Sequence, residues 1–422
     1  MFGIQTFTGI WIQGGKQIGL ILRSLAANVN SEFSSNLGAR FPLIRRTIAH
    51  INPGCFSGYS VNSAKAKRAT RNPGAPFSVK SIRSLRLEAM SGTRLTEADV
   101  RRLLDPAQLC AAIESAFRDR YPSISLPQRT HAELAHGIFL AMSCYDGSAG
   151  TLGMKLILVR DHAQTQAPGQ GHQPADPSSA LSDGRIQATY LLLDPETAQP
   201  RLTIAANYLT DLRTAATSAV ATKFLARRDA SVLGIFGTGR LARAHLAVLP
   251  LVRDFQRVLI CGRNPHRSAE FVQSVSAEGH GLTITAADAR TCAAQSDVLC
   301  TCTSNPNPLF DGHDLRPGTH LNLVGAFRPE MREVDTHTIQ RSRVVVDTYG
   351  AAASDVGELL IPLKEGAIGR DHVVADLHEL VSEKKEGRRN PEDITVFKSV
   401  GCALEDLVAA ELLLATHPAR TM

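Results

Sequence analysis

The chain has 422 residues, of which 43% are hydrophobic and 20% are charged, and its formal net charge is +6. That length is enough for two or three domains with hydrophobic cores, and no run of about 18 apolar residues predicts a membrane span. Residues 1–89 hold 12 basic and two acidic side chains, so the remainder holds 34 basic and 38 acidic ones and has a net charge of −4. We therefore expect neither a nucleic acid nor a membrane as partner of the main body.

Residues 1–89 lack apolar periodicity and are rich in Ser, Asn, Gly and Arg. A basic, acid-poor composition is typical of an organellar transit peptide, which would place the protein in an organelle. Alternatively the segment is an extension upstream of a natural start at Met90. We favour the second interpretation and predict a cytoplasmic protein whose basic N-terminal extension is disordered and carries no catalytic residue.

The folded body begins near Leu95 with two helix-start signals, Thr96-Glu-Ala-Asp99 and Asp105-Pro106. Three apolar runs predict strands at residues 137–142, 153–159 and 187–193. Between the last two lies Arg160–Asp183, a polar, Pro- and Gly-containing segment that predicts a long loop. The eight cysteines form no CxxC pair and have no neighbouring His cluster, so we predict reduced structural thiols and no metal site.

The stretch around residue 237 carries the clearest functional signal. Ser231–Phe236 is a short apolar run, Gly237-Thr-Gly-Arg-Leu-Ala242 follows directly, and Ala244–Leu251 continues at helical spacing. A glycine turn between a buried strand and a helix lets backbone approach a pyrophosphate, which then lies at the unpaired amides of the helix start. Glycine turns also join strands and helices for geometric reasons alone. With further strands after it, the motif favours dinucleotide binding.

The remaining pattern predicts an α/β fold with a Rossmann-type NAD(P)-binding domain at residues 210–334. The second α/β domain, for substrate binding and dimerisation, would comprise residues 90–209 with 335–422. Predicted elements around and after the glycine turn are a helix at Thr210–Leu225, strands at Arg257–Cys261, Leu282–Ala286, Val298–Cys302, His320–Val324 and Arg343–Asp347, a helix start at Glu333–Asp335, a turn flanked by Ile361–Leu363 and Ile368, and a helix at Asp393–Leu414. We expect that last helix to return to the first domain.

The end of the second Rossmann strand bears on the cofactor. Many NAD enzymes place a carboxylate here to bind the ribose 2′-hydroxyl group. This chain instead has Cys261-Gly-Arg-Asn264 with Arg267 one turn later. Two arginines can receive a 2′-phosphate, so we predict a preference for NADP(H), with NAD(H) possible. Alternatively Arg263 and Arg267 are solvated residues of a helix start.

Five stretches occur in an order that resembles a known family: Pro127-Gln-Arg129, Gly153-Met-Lys155, Leu209–Ala216 with Gly237–Ala242, Asn322–Glu333, and Phe397–Gly401. Residues 95–415 resemble the ornithine cyclodeaminase/μ-crystallin family. The resemblance implies an NAD(P)-dependent enzyme acting on an α-amino or α-imino acid. It also implies a homodimer built through the non-Rossmann domain.

The resemblance further implies which residues form the site. Arg129 is expected to hold the substrate carboxylate, because a guanidinium matches a planar carboxylate with two parallel bonds. Lys155 is expected to face the substrate and to bind the carboxylate or relay a proton, and Val400 to line the substrate pocket. Without the motifs, Arg129 would be read as a surface arginine and Lys155 as a strand-edge lysine. The expected cofactor contacts are Arg213, Gly237, Gly239, Arg240, Leu241, Arg263, Asn264, Thr303, Val324, Gly325, Met331 and Ser399.

One residue departs from the family's deaminases. Ornithine cyclodeaminases carry an acid/base aspartate two residues after the glycine of the NxVG segment, where this chain has Phe327. Phenylalanine transfers no proton, which disfavours ornithine cyclisation. The Gly325-Ala-Phe-Arg-Pro form instead resembles the family's ketimine reductases. That resemblance implies conversion of Δ1-pyrroline-2-carboxylate or Δ1-piperideine-2-carboxylate to an L-amino acid. Ornithine cyclodeaminase, an alanine-type dehydrogenase and a non-catalytic, crystallin-like NADPH-binding protein remain alternatives.

Overall fold

The computed structural model describes residues 92–160, 186–279 and 281–416 of the chain. The predictions for residues 1–89, and for the loop that follows Arg160, concern residues outside these ranges. Within the same ranges, no helix combines the length and the apolar character that crossing a membrane requires.

The first sheet of the described chain has six strands. They are β1 (Thr93–Leu95), β2 (Thr130–Leu134), β3 (Gly137–Asp146), β4 (Thr151–Arg160), β5 (Ile186–Leu193) and β6 (Pro200–Ala205). Their order is β1-β6-β5-β4-β3-β2, with β1 parallel to β6 and the other neighbours antiparallel. The three predicted apolar runs correspond to β3, β4 and β5, whereas β1, β2 and β6 were missed.

Helices α1 (Glu97–Leu103) and α2 (Pro106–Ser115) begin where the capping signals predict. Thr96 Oγ1 accepts the N–H of Asp99 at 3.2 Å, and Asp99 Oδ2 accepts the N–H of Thr96 at 3.0 Å. Asp105 Oδ1 accepts the N–H of Gln108 at 2.8 Å. These side chains satisfy amides that the first turn of a helix leaves without partners.

Helix α3 (Asn207–Leu225) packs against both sheets and is buried along most of its length. It confirms the predicted helix and begins three residues earlier. Its threonine hydroxyls donate to the backbone carbonyl four residues before, at 2.7–2.9 Å, from Thr210, Thr214, Thr217 and Thr222. Because these polar groups are bonded within the helix, the helix can be enclosed on several sides.

The second sheet consists of eight parallel strands, as expected for a Rossmann-type fold. They are β7 (Val232–Phe236), β8 (Arg257–Cys261), β9 (Thr283–Ala286), β10 (Val298–Thr301), β11 (His320–Leu323), β12 (Ser342–Val346), β13 (Val373–Asp376) and β14 (Ile394–Lys398). Their order is β13-β12-β14-β11-β10-β7-β8-β9, and every neighbouring pair is parallel.

Seven helices accompany this sheet: α4 (Arg240–Val248), α5 (Pro265–Ser276), α6 (Ala289–Gln295), α7 (Thr336–Gln340), α8 (Tyr349–Asp355), α9 (Gly357–Lys364) and α10 (Leu377–Val381), as counted in the described ranges. The predicted turn between Ile361–Leu363 and Ile368 is present, because α9 ends at Lys364 and a turn follows at Glu365 and Gly366, the latter with a φ of +70°. The helix that precedes this turn was not predicted, since Pro362 lies inside it and proline normally disfavours a helix interior.

Strand β14 corrects the largest error of the sequence analysis. Residues Asp393–Leu414 were predicted as one helix, but Ile394–Lys398 form a strand between β11 and β12, and helix α11 begins at Ala403 and ends at Thr416. All five residues of β14 are buried. A short run that is buried on both faces has no alternation that separates it from a buried helix.

Strands β12 to β14 also bear on the predicted domain limits. The sequence analysis assigned residues 335–422 to the substrate-binding domain, yet these three strands extend the eight-stranded sheet beyond residue 334. Helix α11 does return to the six-stranded sheet, where it packs on β3, β4 and β5. Its Leu404, Leu407 and Val408 are buried, as its apolar face requires.

Candidate active site

A cavity of about 490 Å³ lies where the six-stranded sheet meets the carboxyl ends of β7, β10, β11 and β14. This is the edge at which open parallel sheets bind ligands. The cavity is lined by residues of β3 and β4, by the first two turns of α3, by the glycine turn, and by the loops after β10, β11 and β14. Both sheets therefore contribute to one site.

One wall of the cavity is apolar. Leu140, Ile157 and Val159 supply it from the six-stranded sheet, and Phe327 packs against this group from the loop after β11. Phe327, at the position where ornithine cyclodeaminases are expected to carry an acid/base aspartate, thus adds hydrocarbon to this wall.

The turn after β7 has the geometry that its sequence predicts. Gly237 has a φ of +121°, and a Cβ atom there would lie 2.6 Å from the carbonyl oxygen of Cys302, so a side chain does not fit. Gly239 is the N-cap of α4, and Thr238, Gly239, Arg240 and Leu241 line the cavity. The amides at this helix start have no intrahelical partners and are suited to bind a pyrophosphate.

Arg240 also carries a positive charge at this turn. Its Nε lies 3.1 Å from Oδ2 of Asp211, which lies on α3 and lines the cavity. Burial raises the pKa of Asp211 to about 6, while the charge of Arg240 opposes this rise. The ion pair holds the guanidinium beside the turn that would receive phosphates.

The end of β8 contains no carboxylate in the Cys261–Asn264 segment. Asn264 Oδ1 caps helix α5 by accepting the N–H groups of His266 at 2.9 Å and Arg267 at 3.4 Å. Arg267 lines the cavity, whereas Arg263 and Asn264 are exposed and do not. Of the residues predicted here, Arg267 is therefore the one that the structure brings to the cavity.

Glu333 joins the loops that follow β10 and β11. One carboxylate oxygen accepts the N–H and the hydroxyl of Thr303 at 2.9 and 2.7 Å, and the other accepts the N–H of Gly325 at 2.7 Å. Burial raises the pKa of Glu333, and the neighbouring Lys398 opposes this. Thr303 and Gly325, two of the predicted cofactor contacts, line the cavity, and the hydroxyl of Thr303 is already bonded to Glu333.

Other predicted cofactor residues have different positions. Val324 and Ser399 line the cavity, whereas Met331 does not. The Met331 carbonyl instead lies against Gly357, at the start of α9. The sequence around Met331 does not indicate whether the residue points toward the cavity or away from it.

Arg129 lies in the cavity wall with 9% of its side chain exposed. Its Nη2 donates to the carbonyl oxygens of Val400 at 3.1 Å and Gly401 at 3.3 Å, and its Nε lies 2.9 Å from Asp355 Oδ2. Its Nη1 has no hydrogen-bond partner among the described residues, so this nitrogen is available to a carboxylate. The two-bond contact predicted from the sequence would pair Nη1 with Nη2, and Nη2 already donates to the two carbonyl oxygens.

Four charged side chains are buried together beside the cavity: Lys155, Arg213, Glu405 and Asp406. Lys155 Nζ lies 2.8 Å from Asp406, Arg213 Nε lies 3.0 Å from Asp406, and Arg213 Nη1 lies 2.6 Å from Glu405. The two cations balance the two carboxylates, as buried charges require. Burial and the charge of Arg213 lower the pKa of Lys155, although Asp406 opposes them.

Within this cluster, Arg213 lines the cavity but Lys155 does not. Lys155 lies on the same face of β4 as the cavity residues Ile157 and Val159, yet its side chain is 0% exposed and bonded to Asp406. Lys155 was predicted to face the substrate, but in this structure its ammonium group is directed to Asp406 on α11. Glu405 and Asp406 were not predicted as site residues, because in the sequence they resemble surface residues at a helix start.

The model of the ornithine cyclodeaminase/mu-crystallin family matches residues 92–416. The chain belongs to this family. A Delta(1)-pyrroline-2-carboxylate reductase of Bacillus cereus is 35% identical over 229 residues, which cover 54% of this chain and 70% of that protein. The family assignment confirms the resemblance that the five sequence stretches carried.

Solved structures of this family have the same fold. The Thermococcus litoralis Delta(1)-pyrroline-2-carboxylate reductase, in complex with NADH and L-proline, has a TM-score of 0.69 and 32% identity, covering 76% of this chain and 96% of that one. An archaeal alanine dehydrogenase dimer with bound NAD has a TM-score of 0.68 and 27% identity, covering 78% and 97%. Both relatives support a nicotinamide dinucleotide as the cofactor type of this cavity.

Proposed function

We propose that the chain is an NAD(P)H-dependent ketimine reductase that reduces Δ1-pyrroline-2-carboxylate or Δ1-piperideine-2-carboxylate to an L-amino acid. The lining of the cavity carries this proposal, because it combines two positive charges with an apolar surface. Arg129 and Arg213 supply the charges, and the wall around Phe327 supplies the apolar surface. A cyclic imino acid has the matching parts, a carboxylate and a hydrocarbon ring. Similarity to the two pyrroline-carboxylate reductases supports the same substrate class.

The apolar wall argues against ornithine as the substrate. Leu140, Ile157, Val159 and Phe327 offer no side-chain hydrogen-bond acceptor to a second ammonium group. Placing an unpaired ammonium group against such a surface costs several kcal/mol. The methylene groups of an imine ring, in contrast, are favoured there by about 0.8 kcal/mol each.

The residues of the cavity fit a dinucleotide and divide the work of binding and reduction. A bound nicotinamide supplies the hydride that the imine carbon accepts. The glycine turn and Arg240 would hold the pyrophosphate, and the loops fixed by Glu333 would support the nicotinamide end. Arg129 Nη1 would bind the substrate carboxylate and thereby orient the imine carbon, so that catalysis comes mainly from positioning and electrostatics.

The imine nitrogen gains one proton when its carbon is reduced. We assign this proton to Nζ of Lys155, whose burial lowers its pKa and so makes it a better donor. The assignment requires Lys155 to leave Asp406 when substrate is bound. A protonated imine accepts hydride readily, so no further strong acid is needed, in agreement with Phe327 at the aspartate position.

A cofactor-oxidation assay on the full chain tests the function. The two imines would be offered with NADPH and NADH in parallel, together with L-ornithine, and with L-alanine plus NAD⁺. Oxidation of reduced cofactor by either imine is the expected result. Ammonia release from ornithine alone would identify a cyclodeaminase, pyruvate from alanine alone would identify a dehydrogenase, and NADPH binding without any turnover would identify a non-catalytic binder.

We also propose that the protein prefers NADP(H). Arg267 lines the cavity, and Arg263 lies four residues before it in the sequence. The segment Cys261–Asn264 at the end of β8 contains no acidic residue. The Arg263→Ala/Arg267→Ala variant is expected to raise the KM for NADPH at least tenfold and the KM for NADH less than twofold, because the 2′-phosphate would lose its cations. Arg290→Ala, which removes an exposed arginine of α6, is the control. Equal changes for both cofactors would refute the preference.

We further propose a homodimer formed through the outer face of the six-stranded sheet. On β4 the side chains of Leu152, Met154, Leu156 and Leu158 point to this face and remain partly exposed, whereas the residues between them point to the side of α11 and the cavity. A row of apolar side chains that remains partly exposed is a candidate interface. The relative described as an alanine dehydrogenase dimer supports a second copy as the partner.

Leu156→Asp is expected to convert this dimer into a monomer, because it places a charge in the centre of the apolar face. Light scattering coupled to size exclusion would measure the mass of the full chain and of the variant. Leu251→Asp, at a leucine that is 50% exposed outside this sheet, is the matched control and should leave the mass unchanged. A variant with the wild-type mass would exclude this face as the interface.

A further inference from the structure

Asp347 is a fully buried carboxylate directly after β12. Its Oδ2 accepts the N–H groups of Val400 at 2.8 Å and Gly401 at 2.9 Å and the hydroxyl of Ser399 at 3.1 Å, while Oδ1 accepts the N–H of Thr348 at 2.7 Å. No basic side chain of the described residues forms an ion pair with it. Hydrogen bonds therefore satisfy the buried carboxylate, and three of them come from Ser399–Gly401, the loop that follows β14. These bonds fix the backbone of this loop.

The opposite side of the same loop faces Arg129. The carbonyl of Val400 and the N–H of Gly401 belong to one trans peptide unit and so point in opposite directions. The N–H donates to Asp347, and the carbonyl accepts from Nη2 of Arg129. A single peptide unit thus links the buried carboxylate to the arginine of the cavity wall.

Arg213 packs against Gly401 of the same loop. Gly401 has a φ of +88°, and a Cβ atom there would lie 2.7 Å from Nη1 of Arg213. Glycine is therefore required at position 401, because a side chain there would clash with the guanidinium of Arg213. Asp347 holds the amide of this same glycine, so it contributes to the spacing between Arg129 and Arg213.

We propose that Asp347 is a positioning residue for substrate: it fixes the peptide unit between Val400 and Gly401 and thereby orients Arg129 toward the substrate carboxylate. The proposal rests on the proposed function only in assuming that the cavity binds a carboxylate. It assigns to Asp347 no contact with substrate or cofactor. The proposal predicts that its effect on substrate binding passes mainly through Arg129.

The chain offers a matched control in Asp297. This carboxylate is also nearly buried and also holds backbone, because its Oδ2 accepts the N–H groups of Ser231 and Val232, both at 3.0 Å. It precedes β10 and therefore lies at the amino edge of the sheet, opposite the cavity. Asp297→Asn removes a structural carboxylate that, unlike Asp347, also pairs with Arg227 at 2.7 Å, and it does so without touching Arg129.

The test is a double-mutant cycle on the full chain saturated with NADPH, with pyrrole-2-carboxylate as a planar probe that cannot be reduced. Calorimetry would measure its dissociation constant. Asp347→Asn is expected to weaken probe binding at least tenfold in the wild-type background and less than twofold in the Arg129→Ala background, because interacting residues are not additive. The dissociation constant of NADPH should change less than twofold, and Asp297→Asn should leave both constants unchanged.

Equal losses of probe affinity in both backgrounds would overturn the proposal, and so would an Asp297→Asn variant that loses as much as Asp347→Asn. If the wild type binds the probe but reduces neither imine, the proposed function fails while the cycle still decides the role of Asp347. If the NADPH-bound wild type does not bind the probe, both proposals fail.

Discussion

Replacing Arg129 by alanine is expected to raise the KM for Δ1-pyrroline-2-carboxylate by about 30- to 1,000-fold. Loss of a partly buried, charge-assisted contact costs about 2–4 kcal/mol, and Arg129 is 9% exposed in the cavity wall. The dissociation constant of NADPH is expected to stay within twofold, because the glycine turn is formed by other residues. Steady-state kinetics and a fluorescence titration of NADPH would measure the two quantities.

Two further variants test whether the raised KM is caused by loss of the Arg129 guanidinium group. Arg129→Lys keeps the charge but loses the fork, and is expected to recover only part of the affinity. Arg120→Ala removes an arginine that pairs with Asp146 at 2.7 Å and Glu411 at 2.8 Å but does not line the cavity. It should lower thermal stability and leave the KM unchanged. A KM for Arg129→Ala close to that of the wild type would contradict the assigned role.

Replacing Lys155 by alanine is expected to have two separate effects. It leaves the buried Glu405 and Asp406 with Arg213 as their one remaining cation in the cluster. Breaking a buried pair in this way lowers the free energy of unfolding by about 3–5 kcal/mol. It also removes the proposed proton donor, which is expected to lower kcat about 100-fold, while NADPH still binds. Denaturant unfolding and single-turnover kinetics would measure the two effects.

The Lys155→Ala/Asp406→Asn double variant separates stability from chemistry. It restores charge balance in the cluster, so most of the lost stability should return. We expect kcat to remain low, because no ammonium group is restored. If turnover returns together with stability, Lys155 serves charge balance and does not supply the imine proton.

The sequence predicted those parts of the fold whose signals are local. The Gly237–Ala242 turn follows a buried strand and precedes a helix, and its glycine indeed requires a positive φ. The capping residues Thr96 and Asp105 likewise start helices where expected. Each of these features depends on residues within a few positions of one another, so one sequence suffices to recognise it.

The parts that were missed depend on contacts between distant residues. Asp347 and Glu333 bond to backbone amides of other loops, and an amide gives no signal in an amino-acid sequence. Lys155 was recognised by its motif, but its partner Asp406 lies 251 residues away on another element. The direction of its ammonium group therefore could not be derived from β4 alone.

The position of β14 has a consequence for how the protein is synthesised. This strand pairs with β11, which lies more than 70 residues earlier in the chain, and it also separates β11 from β12. Until Ile394–Lys398 have left the ribosome, β11 and β12 have no neighbour on the side that β14 will occupy, and such open edges favour wrong pairing. Closure of the cavity is thus expected late in translation. Because most contacts of the fold join residues far apart in the chain, we also expect slow refolding from denaturant.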